Sequence, residues 1–300
     1  MASHFSRIGL IGWFGDTRVA DSMSALAHHL VASRLEVFVD AAAGAQGLPE
    51  RVTPLPAAEL AGRAELIVAI GGDGTMLYAA QQVIGRSVPL LGVNRGRLGF
   101  LADVSPAETI ERFDAVLSGD YQEDVRAMLS ATLERPGDSP LSCHALNDVV
   151  IQKYETGRMI EFETWIGDDF VNTHGGDGLV IATSTGSTAY ALSCGGPIIH
   201  PHLDALVLAP ICPHTLSDRP IVVGRDSAIV LRLAARSPTR AQVTFDGTVL
   251  GDLDHGGRLS VGAARQSITL LHPPGHDFFR ILRSKLHWGR SARTTEEPTC

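Results

Sequence analysis

A carboxylate stands among glycines in the stretch AIGGDGTML, residues 69–77, where Asp73 lies between Gly72 and Gly74. Glycines at a turn permit positive φ and let backbone N–H groups approach a phosphate, and the start of a following helix attracts negative charge. A carboxylate in such a cradle is repelled by the phosphate, so Asp73 needs another role. We interpret it as the acceptor of a proton from an attacking hydroxyl or as part of a divalent-metal site. The structural alternative is a helix cap at Asp73, with Gly74 and Thr75 as the first two helical residues.

The glycine motif matches neither of two common phosphate-binding fingerprints. A Walker A loop reads GxxxxGK[ST], but this stretch has no lysine, and it does not contain the dinucleotide fingerprint GxGxxG either. The apolar run LIVAI, residues 66–70, predicts a buried strand before the motif, and TMLYAAQQVIG, residues 75–85, predicts a helix after it. The glycines are therefore expected at the carboxyl end of a parallel strand, where open α/β sheets bind ligands.

A second Gly-Asp-Gly sequence surrounds Asp177 in the stretch GGDGLVIATSTGSTAYALSCGGPIIHP, residues 175–201. A predicted strand follows it, and then a turn rich in serine and threonine around Gly186 leads into the short helical segment TAYALS, residues 188–193. Such a turn presents many small donors with little bulk, which suits ribose and phosphate oxygens or an adenine edge. In the alternative interpretation, the hydroxyls only satisfy their own backbone.

The elements that must position these motifs differ between the two parts of the chain. Up to about residue 120, short apolar runs alternate with helical periodicity, which predicts a parallel sheet with helices on its faces. The predicted helices cover 20–34, 75–85 and 105–120, and the predicted strands cover 8–12, 35–40, 64–72 and 89–94.

Strand-like segments dominate after residue 121 and predict a β-rich second domain of packed sheets. HALNDVVIQK, residues 144–153, is one such segment, and Asp246-Gly247 between two others predicts a type I′ hairpin turn. The last segment returns to helical spacing, with Phe278, Ile281, Leu282 and Leu286 on one stripe. We predict an α/β domain at 1–120, a helix at 275–292 that packs back on it, a β-rich domain at 121–274 and a tail at 293–300.

Composition and charge exclude several classes of protein. Apolar residues make up 44% and charged residues 19% of 300 residues, which is the balance of a folded soluble protein with two domains. The net charge of −8, without a long basic cluster, argues against nucleic acid as a partner. No apolar run reaches the ~18 residues of a membrane span and no signal-peptide pattern opens the chain, so we predict a cytoplasmic protein without membrane partners. The four cysteines lack CxxC spacing, which indicates neither a zinc site nor a disulfide framework.

Five separated motifs accompany the hydroxyl-rich segment: GGDGTML at 71–77, GVNRGRLGFLAD at 92–103, LNDVVI at 146–151, PHTLSDRP at 213–220 and FDG at 245–247. Their order and spacing resemble those of the bacterial NAD kinases along nearly the whole chain. The resemblance implies a Rossmann-like α/β domain of the phosphofructokinase and diacylglycerol kinase type, followed by an all-β NAD-binding domain. It also implies transfer of a phosphoryl group from ATP, or from polyphosphate in some members, to the 2′-hydroxyl of the adenosine ribose of NAD.

The resemblance assigns the catalytic role to Asp73, as general base or late proton acceptor, with Gly71, Gly72, Gly74 and Thr75 shaping the phosphate cradle. No covalent intermediate is required. Phosphoryl transfer depends on positioning and charge neutralisation, so a divalent ion, Mg²⁺ or Mn²⁺, is expected to carry much of the charge that a Walker lysine would supply. We expect the substrate phosphates to hold that ion.

The NAD site is also implied by the resemblance. Asn147 and Asp148 match a pair that hydrogen-bonds ribose hydroxyls, although the family has Glu where this chain has the shorter Asp148. Asp177 matches an acidic residue that engages the nicotinamide end, and Arg158 falls where a neighbouring subunit often contributes a contact. Gly175 replaces a basic residue of some relatives at a position that bears on the use of NADH beside NAD. The other residues implied in NAD binding are Asp73, Gly74, Thr188, Ala189, Tyr190, Ala191, Leu192, Ser193 and Thr248.

The resemblance to the NAD kinases also implies a homo-oligomer, either a dimer or a tetramer. Two other functions remain open. The GGDGT turn also resembles that of phosphofructokinases and of diacylglycerol and sphingosine kinases, so a sugar or lipid kinase is the alternative enzyme. The hydroxyl-rich segment and LNDVV argue against it. The alternative without catalysis is a module that senses NAD and binds it without turnover.

Overall fold

The computed structural model describes residues 4–44, 47–95, 99–102, 104–154, 158–235, 237 and 239–287. The chain divides into two compact units, with boundaries at Asp124/Val125 and Ile268/Thr269. The segment after residue 268 belongs to the first unit. Within the described residues, no helix is both long enough and apolar enough to cross a lipid bilayer. The predicted tail at 293–300 and the end of the predicted last helix lie outside the described residues.

The first unit alternates strands and helices. Its elements before the first boundary are β1 (Arg7–Gly12), α1 (Thr17–Ala32), β2 (Glu36–Asp40), β3 (Thr53–Leu55), α2 (Ala57–Arg63), β4 (Leu66–Gly71), α3 (Asp73–Gln82), β5 (Leu90–Asn94) and α4 (Thr109–Leu117). Short 3₁₀ turns precede β3 at Ala41–Ala43 and α4 at Pro106–Glu108. The helix predicted at 105–120 is thus a 3₁₀ turn followed by an α-helix.

All five strands run parallel in the order β5-β4-β1-β2-β3. Strand β4 is buried along its whole length, as expected for a parallel strand covered on both faces. One face packs against Met23, Leu26 and Leu30 of α1. The chain adds β2 and β3 on one side of β1, and it then adds β4 and β5 on the other side. The direction in which strands are added therefore reverses next to β1. Open α/β sheets bind ligands at the carboxyl ends of strands beside such a reversal.

The second unit is built almost entirely of antiparallel strands. These are β6 (Gln122–Glu134), β7 (Leu141–Ala145), β8 (Asp148–Lys153), β9 (Ile160–Ile166), β10 (Asp169–Gly176), β11 (Gly178–Thr183), β12 (Ala205–Ile211), β13 (Ile221–Gly224), β14 (Ile229–Leu233), β15 (Ala241–Phe245), β16 (Thr248–Leu253) and β17 (Arg258–His272). The unit boundaries fall within β6 and β17. A 3₁₀ turn at Gly186–Thr188 and the four-residue helix α5 (Tyr190–Ser193) interrupt the strands.

Two sheets form the second unit. One has the order β13-β12-β11-β8-β15-β16, and the other contains β10-β9-β14-β17 with β6 and β7 paired beside β17. Alternate residues of β8, Val149 and Ile151, join an apolar core that also contains Phe162 of β9 and Leu259 of β17. The opposite face of the first sheet packs under α5, through Ala191. The predicted α/β domain and all-β domain of packed sheets are therefore confirmed.

The chain returns to the first unit at the end of β17, where Leu270 pairs parallel with Leu90 of β5. The final described helix, α6 (Phe278–Leu286), begins with an Asp277 cap that accepts hydrogen bonds from two backbone N–H groups. Ile281 and Leu282 of the predicted stripe are buried. Leu286, at the end of the helix, is 37% exposed.

Candidate active site

Asp73 is the first residue of α3, and it does not cap that helix. The capping position belongs to Gly72, and no side chain caps the first turn. The Asp73 carboxylate instead accepts hydrogen bonds from the backbone N–H groups of Phe100 (3.0 Å) and Leu101 (3.1 Å). The structural alternative of a helix cap is therefore wrong. A loop 27 residues further along the chain holds this carboxylate.

The glycines around Asp73 serve two different purposes. A Cβ at Gly71 would overlap the hydroxyl of Thr75, and a Cβ at Gly99 would overlap Oδ1 of Asp73. At Gly72 and Gly74, a Cβ would meet no heavy atom of the described residues within 4 Å. Gly71 and Gly99 therefore permit close packing of the carboxylate and its loop. Gly72 and Gly74 leave open space above the first turn of α3, where backbone N–H groups lack intrahelical partners.

One basic side chain approaches the Asp73 carboxylate from the distant helix α6. Nζ of Lys285 lies 3.7 Å from Oδ2 of Asp73 and 4.4 Å from the centre of the Phe100 ring. Both charged side chains are partly buried, with 23% of Lys285 and 32% of Asp73 exposed. No local sequence signal marks this pair, because 212 residues separate its members.

A cavity of about 380 Å³ opens beside the glycine motif in the first unit. Its lining includes Gly12 and Trp13 at the carboxyl end of β1, Asp40 at the carboxyl end of β2 and Gly74 in the first turn of α3. Tyr78 of α3 also lines it and donates a hydrogen bond from its hydroxyl to Oδ2 of Asp40 (3.1 Å). Trp13 is 69% exposed. A carboxylate, an aromatic face and a phosphate-suited helix start thus surround one space at the strand-order reversal.

In the second unit, the segment interpreted as one strand at 144–153 is broken at Leu146 and Asn147. The carboxylate of Asp246 accepts hydrogen bonds there from the backbone N–H groups of Leu146 (2.8 Å), Asn147 (2.8 Å) and Asp148 (3.2 Å). Asp246 itself lies in the predicted hairpin turn. Both Asp246 and Gly247 have positive φ, as a type I′ turn requires, and β15 and β16 pair on either side.

Asp148 is buried at the start of β8, and only 6% of it is exposed. Burial and, after it, the negative charge of Asp246 raise the pKa of Asp148 to about 7. Its carboxyl group can therefore both donate and accept hydrogen bonds near neutral pH, which suits a sugar hydroxyl.

Tyr190 lies near the carboxyl groups of both Asp148 and Asp177. Oδ1 of Asp177 forms an ion pair with Nζ of Lys153 at 2.7 Å. Burial raises the pKa of the Tyr190 phenol, and the charges of Cys194, Cys212, Asp148 and Asp177 add to the shift in that order. The structure thus gathers around Tyr190 the acidic residues of two separate sequence motifs.

The hydroxyls of the serine- and threonine-rich turn donate to backbone carbonyl groups. Ser187 donates to the carbonyl of Ser184 (2.7 Å) and Thr188 to that of Thr185 (3.2 Å), as in the structural interpretation of the turn. Thr183 instead donates to the carbonyl of Leu146, 37 residues earlier in the chain (2.6 Å). The turn also lies against the Asn147 loop, because a Cβ at Gly186 would overlap the backbone carbonyl of Asn147.

The remaining predicted NAD residues occupy different environments. Ala191 is buried in the core under α5, whereas Tyr190 and Ser193 of that helix are exposed, and Thr188, Ala189 and Leu192 are partly buried. Thr248 is exposed at the start of β16. Arg158 is exposed, and it forms no ion pair within the part of the chain that the structure describes. Gly175 lies in β10. A Cβ added there would have, among the described residues, only Met159 Sδ within 4 Å, at 3.8 Å.

Sequence reasoning did not identify Asp40, Tyr78 or Lys285 as residues of the candidate site. Asp40 ends β2, a predicted strand of the same parallel sheet as the motif strand, so the rule for carboxyl ends of parallel strands could have indicated it. Nothing local marks Lys285 or the bonds made by Asp246.

Comparison with known proteins indicates the family of this chain. Residues 8–121 match the family model of the ATP-NAD kinase N-terminal domain, and residues 146–272 match that of the C-terminal domain. The chain is 42% identical over 294 residues to the NAD kinase of Azoarcus sp. strain BH72, covering 98% of this chain and 99% of that protein. It is 44% identical over 289 residues to the NAD kinase of Methylococcus capsulatus, covering 96% and 99%.

Solved structures show the same relationship. Yeast NADH kinase complexed with NADH superposes with a TM-score of 0.88 at 25% identity, covering 97% of this chain and 90% of that chain. An NAD kinase from Archaeoglobus fulgidus in complex with ATP superposes with a TM-score of 0.69 at 26% identity, covering 93% and 99%. The sequence motifs, the two domain models and these relatives agree along nearly the whole chain, which belongs to the ATP-NAD kinase family.

Proposed function

We propose that this enzyme transfers the terminal phosphoryl group of ATP to the 2′-hydroxyl of the adenosine ribose of NAD, which yields NADP and ADP. The assignment of residues rests on the position of the Asp73 carboxylate. The backbone N–H groups of Phe100 and Leu101 hold it beside the open backbone at Gly72 and Gly74. Relatives along nearly the full length are NAD kinases, which supports the reaction class.

Asp73 accepts the proton of the attacking hydroxyl. As the ribose oxygen forms its bond to phosphorus, the bond from phosphorus to the bridging oxygen of ADP breaks and its electron pair leaves with ADP. The hydroxyl proton passes to the Asp73 carboxylate, so no covalent enzyme intermediate is needed. Two backbone N–H groups orient the carboxylate before substrate arrives, which avoids reorganisation during the step.

We assign the ATP donor to the cavity of the first unit. Its volume of about 380 Å³ falls within the range of small-molecule sites. Asp40 provides a carboxylate suited to ribose hydroxyls, and the exposed Trp13 provides an aromatic face suited to a base. Gly74 and Thr75 line the same cavity, which brings the donor phosphates to the N-terminus of α3.

We assign NAD contacts to residues of the second unit. We propose that Asn147 and Asp148 bind ribose hydroxyls, since Asp246 fixes their backbone and Asp148 has a raised pKa. Asp177 and Tyr190 lie in the same group and complete the polar lining. The hydroxyl groups of the turn after β11 contribute to the site chiefly by fixing the backbone through their hydrogen bonds.

A divalent ion fits this site as a companion of the phosphates. Among the described residues, the one group of three His, Cys, Asp or Glu side chains close enough to share an ion is Asp124, His272 and His276, which does not include Asp73. An ion at Asp73 would therefore take most of its oxygen ligands from phosphate and water, as Mg²⁺ commonly does. When bound, it would neutralise phosphate charge.

Homo-oligomerisation and a cytoplasmic location are part of the same proposal and rest on the family resemblance. The exposed Arg158 is the residue we assign to a contact with NAD bound by a neighbouring subunit. Sedimentation of the active enzyme at assay concentration tests this assignment, because a fully active monomer would contradict it.

The test of the reaction is NADP production from NAD, ATP and Mg²⁺, coupled to an NADP-specific dehydrogenase, for the wild type and Asp73→Asn. We expect a loss of about 10³-fold or more in kcat for Asp73→Asn, with binding of NAD retained. Asp168→Asn, in the exposed turn between β9 and β10, is the matched control.

Each alternative function has its own outcome in this assay. Binding of NAD by the wild type without NADP formation from ATP or polyphosphate would favour a sensor. Phosphorylation of a sugar or lipid in preference to NAD would favour the other kinases. Equal activity of Asp73→Asn would remove the base role and leave the reaction intact.

A further inference from the structure

We propose that Lys285 is a catalytic residue that binds an oxygen of the transferred phosphoryl group and so supplies the cation that the glycine motif lacks. The inference rests on the proposed phosphoryl transfer at Asp73. It starts from one observation, the approach of the Lys285 ammonium group to the Asp73 carboxylate at 3.7 Å.

The distance between the two groups leaves the ammonium hydrogens uncommitted. At 3.7 Å from Oδ2 of Asp73, Nζ is within ion-pair range but beyond a normal hydrogen bond. Its other contact is the face of the Phe100 ring at 4.4 Å, which attracts the charge without using a donor in a directed bond. Within the described residues, Lys285 forms no closer polar contact, so its donors remain available for phosphate oxygens.

The fold delivers Lys285 on a firmly held helix. Asp277 caps α6, and Ile281 and Leu282 bury its inner face in the first unit. Lys285 follows these two residues by four and three positions, so all three lie on the same side of the helix. The side chain is mostly buried, with 23% exposed, although lysines usually lie in water.

The chemistry at Asp73 places the reacting phosphorus near this ammonium group. A hydroxyl that gives its proton to Asp73 lies about 2.6–3.2 Å from a carboxylate oxygen. The same hydroxyl oxygen bonds to phosphorus, so the phosphoryl oxygens lie a few ångströms from Nζ. Lys285 keeps its proton throughout, while the hydroxyl proton moves to Asp73 and the leaving electron pair goes to ADP. Its contribution is hydrogen bonding and charge, strongest where phosphate charge redistributes in the transition state.

The arrangement separates two tasks that the Walker motif combines in one loop. The glycines and helix start at Gly72–Gly74 supply backbone donors, whereas the cation comes from a helix more than 200 residues later in the chain. A phosphate oxygen entering beside the carboxylate would accept hydrogen bonds from the ammonium group.

The test compares Lys285→Met, Lys285→Arg and Lys285→Ala with Arg283→Met, which removes an exposed cation from the same helix. We measure kcat, KM for ATP, KM for NAD and the pH profile of kcat/KM, together with the melting temperature and NAD binding of each variant. For Lys285→Met we expect a fall in kcat of about 10²–10³-fold, the loss typical when one donor to transition-state charge is removed. KM for NAD should change less than about threefold.

Amine rescue decides whether the cation acts on substrate. Methylamine or ethylamine should restore at least about tenfold activity to Lys285→Ala in a saturable manner, and should not stimulate Asp73→Asn or Arg283→Met. Partial activity of Lys285→Arg would agree with this, because arginine also binds phosphate.

Three outcomes would overturn the proposal. The first is a kcat of Lys285→Met within about threefold of the wild type. The second is loss of activity in every Lys285 variant with a lowered melting temperature, lost NAD binding and no amine rescue, which would make Lys285 a structural partner of Asp73. The third is failure of the wild type to form NADP, which is recognised in the same assay as failure of the proposed function itself.

Discussion

The carboxylate of Asp246 accepts a hydrogen bond from the backbone N–H of Asn147 at 2.8 Å, although 99 residues separate them in the chain. The same carboxylate also binds the N–H groups of Leu146 and Asp148. A hairpin turn thus fixes the loop that presents two residues of the proposed NAD site. The Asp-Gly turn has a positioning role beyond reversing the chain.

Asp246→Asn should weaken NAD binding more than ATP binding. An amide has one acceptor oxygen in place of two, so at least one buried N–H group loses its partner, at about 1–3 kcal/mol. We expect KM for NAD to rise about tenfold, KM for ATP to stay nearly constant and the melting temperature to fall. Asp168→Asn controls for loss of a surface carboxylate, and an unchanged KM for NAD would contradict the positioning role.

Asp148 should make the ligand-free enzyme less stable as pH rises from about 4 to about 7. Burial and the charge of Asp246 raise the pKa of this carboxyl from 3.8 to about 7 in the folded protein, so the folded state retains a proton that the unfolded chain releases. The stabilisation is complete below the unfolded pKa and is lost as pH passes the folded value.

Asp148→Asn therefore should stabilise the enzyme at pH 8 without NAD, by on the order of 2–4 kcal/mol, and remove this pH dependence. Urea unfolding of both proteins between pH 4 and pH 8 measures the difference. Parallel stability curves for the two proteins would show that the burial of Asp148 has no such effect.

Gly99→Ala should impair catalysis through the Asp73 carboxylate. The added Cβ would overlap Oδ1 of Asp73, so either the carboxylate or the loop that binds it must move. Because small misplacements of reacting groups are costly, we expect kcat to fall about 10²-fold. Gly224→Ala, where a Cβ meets nothing within 4 Å, is the matched control. Steady-state kinetics showing equal losses in both variants would refute the geometric argument.

Gly175→Arg should lower the use of NADH relative to NAD. The resemblance links a basic residue at this position to the choice between the two forms, and the backbone has room for a side chain, since Met159 Sδ lies 3.8 Å from the built Cβ. We expect the ratio of kcat/KM for NADH to that for NAD to fall at least about fivefold, with little change in melting temperature. Gly175→Ala is the control that adds a small side chain without a charge. If neither substitution changed the ratio for NADH and NAD, position 175 would have no role in choosing between them.

Trp13→Ala should raise KM for ATP about tenfold and leave KM for NAD nearly unchanged, because Trp13 lines the cavity assigned to the donor. Stacking of a base on an aromatic side chain contributes about 1–3 kcal/mol in other nucleotide sites. Trp13→Phe should retain most of the affinity. A selective rise in KM for NAD would move the donor out of this cavity.

Local sequence patterns predicted the elements in which apolar residues form a clear run or recur with helical spacing. The apolar runs of β1, β4 and β5 and the helical spacing of α1 are visible without any distant contact, as is the Asp-Gly turn after β15. The sequence did not predict α2 or β3, which are only seven and three residues long. Elements this short contain too few periods for a clear pattern.

The sequence by itself determined the residue types that carry the chemistry: an aspartate among glycines, a polar pair before β8 and a turn with positive φ. These choices follow from backbone geometry and from the bonds that each side chain can make, both of which are local. Tertiary structure alone decided where the groups point. Asp73 faces the loop at Phe100 and not its own helix, β8 begins where Asp246 binds the chain, and α6 brings Lys285 to the glycine motif. Those contacts join residues far apart in the sequence, so only the packing of buried elements could determine them.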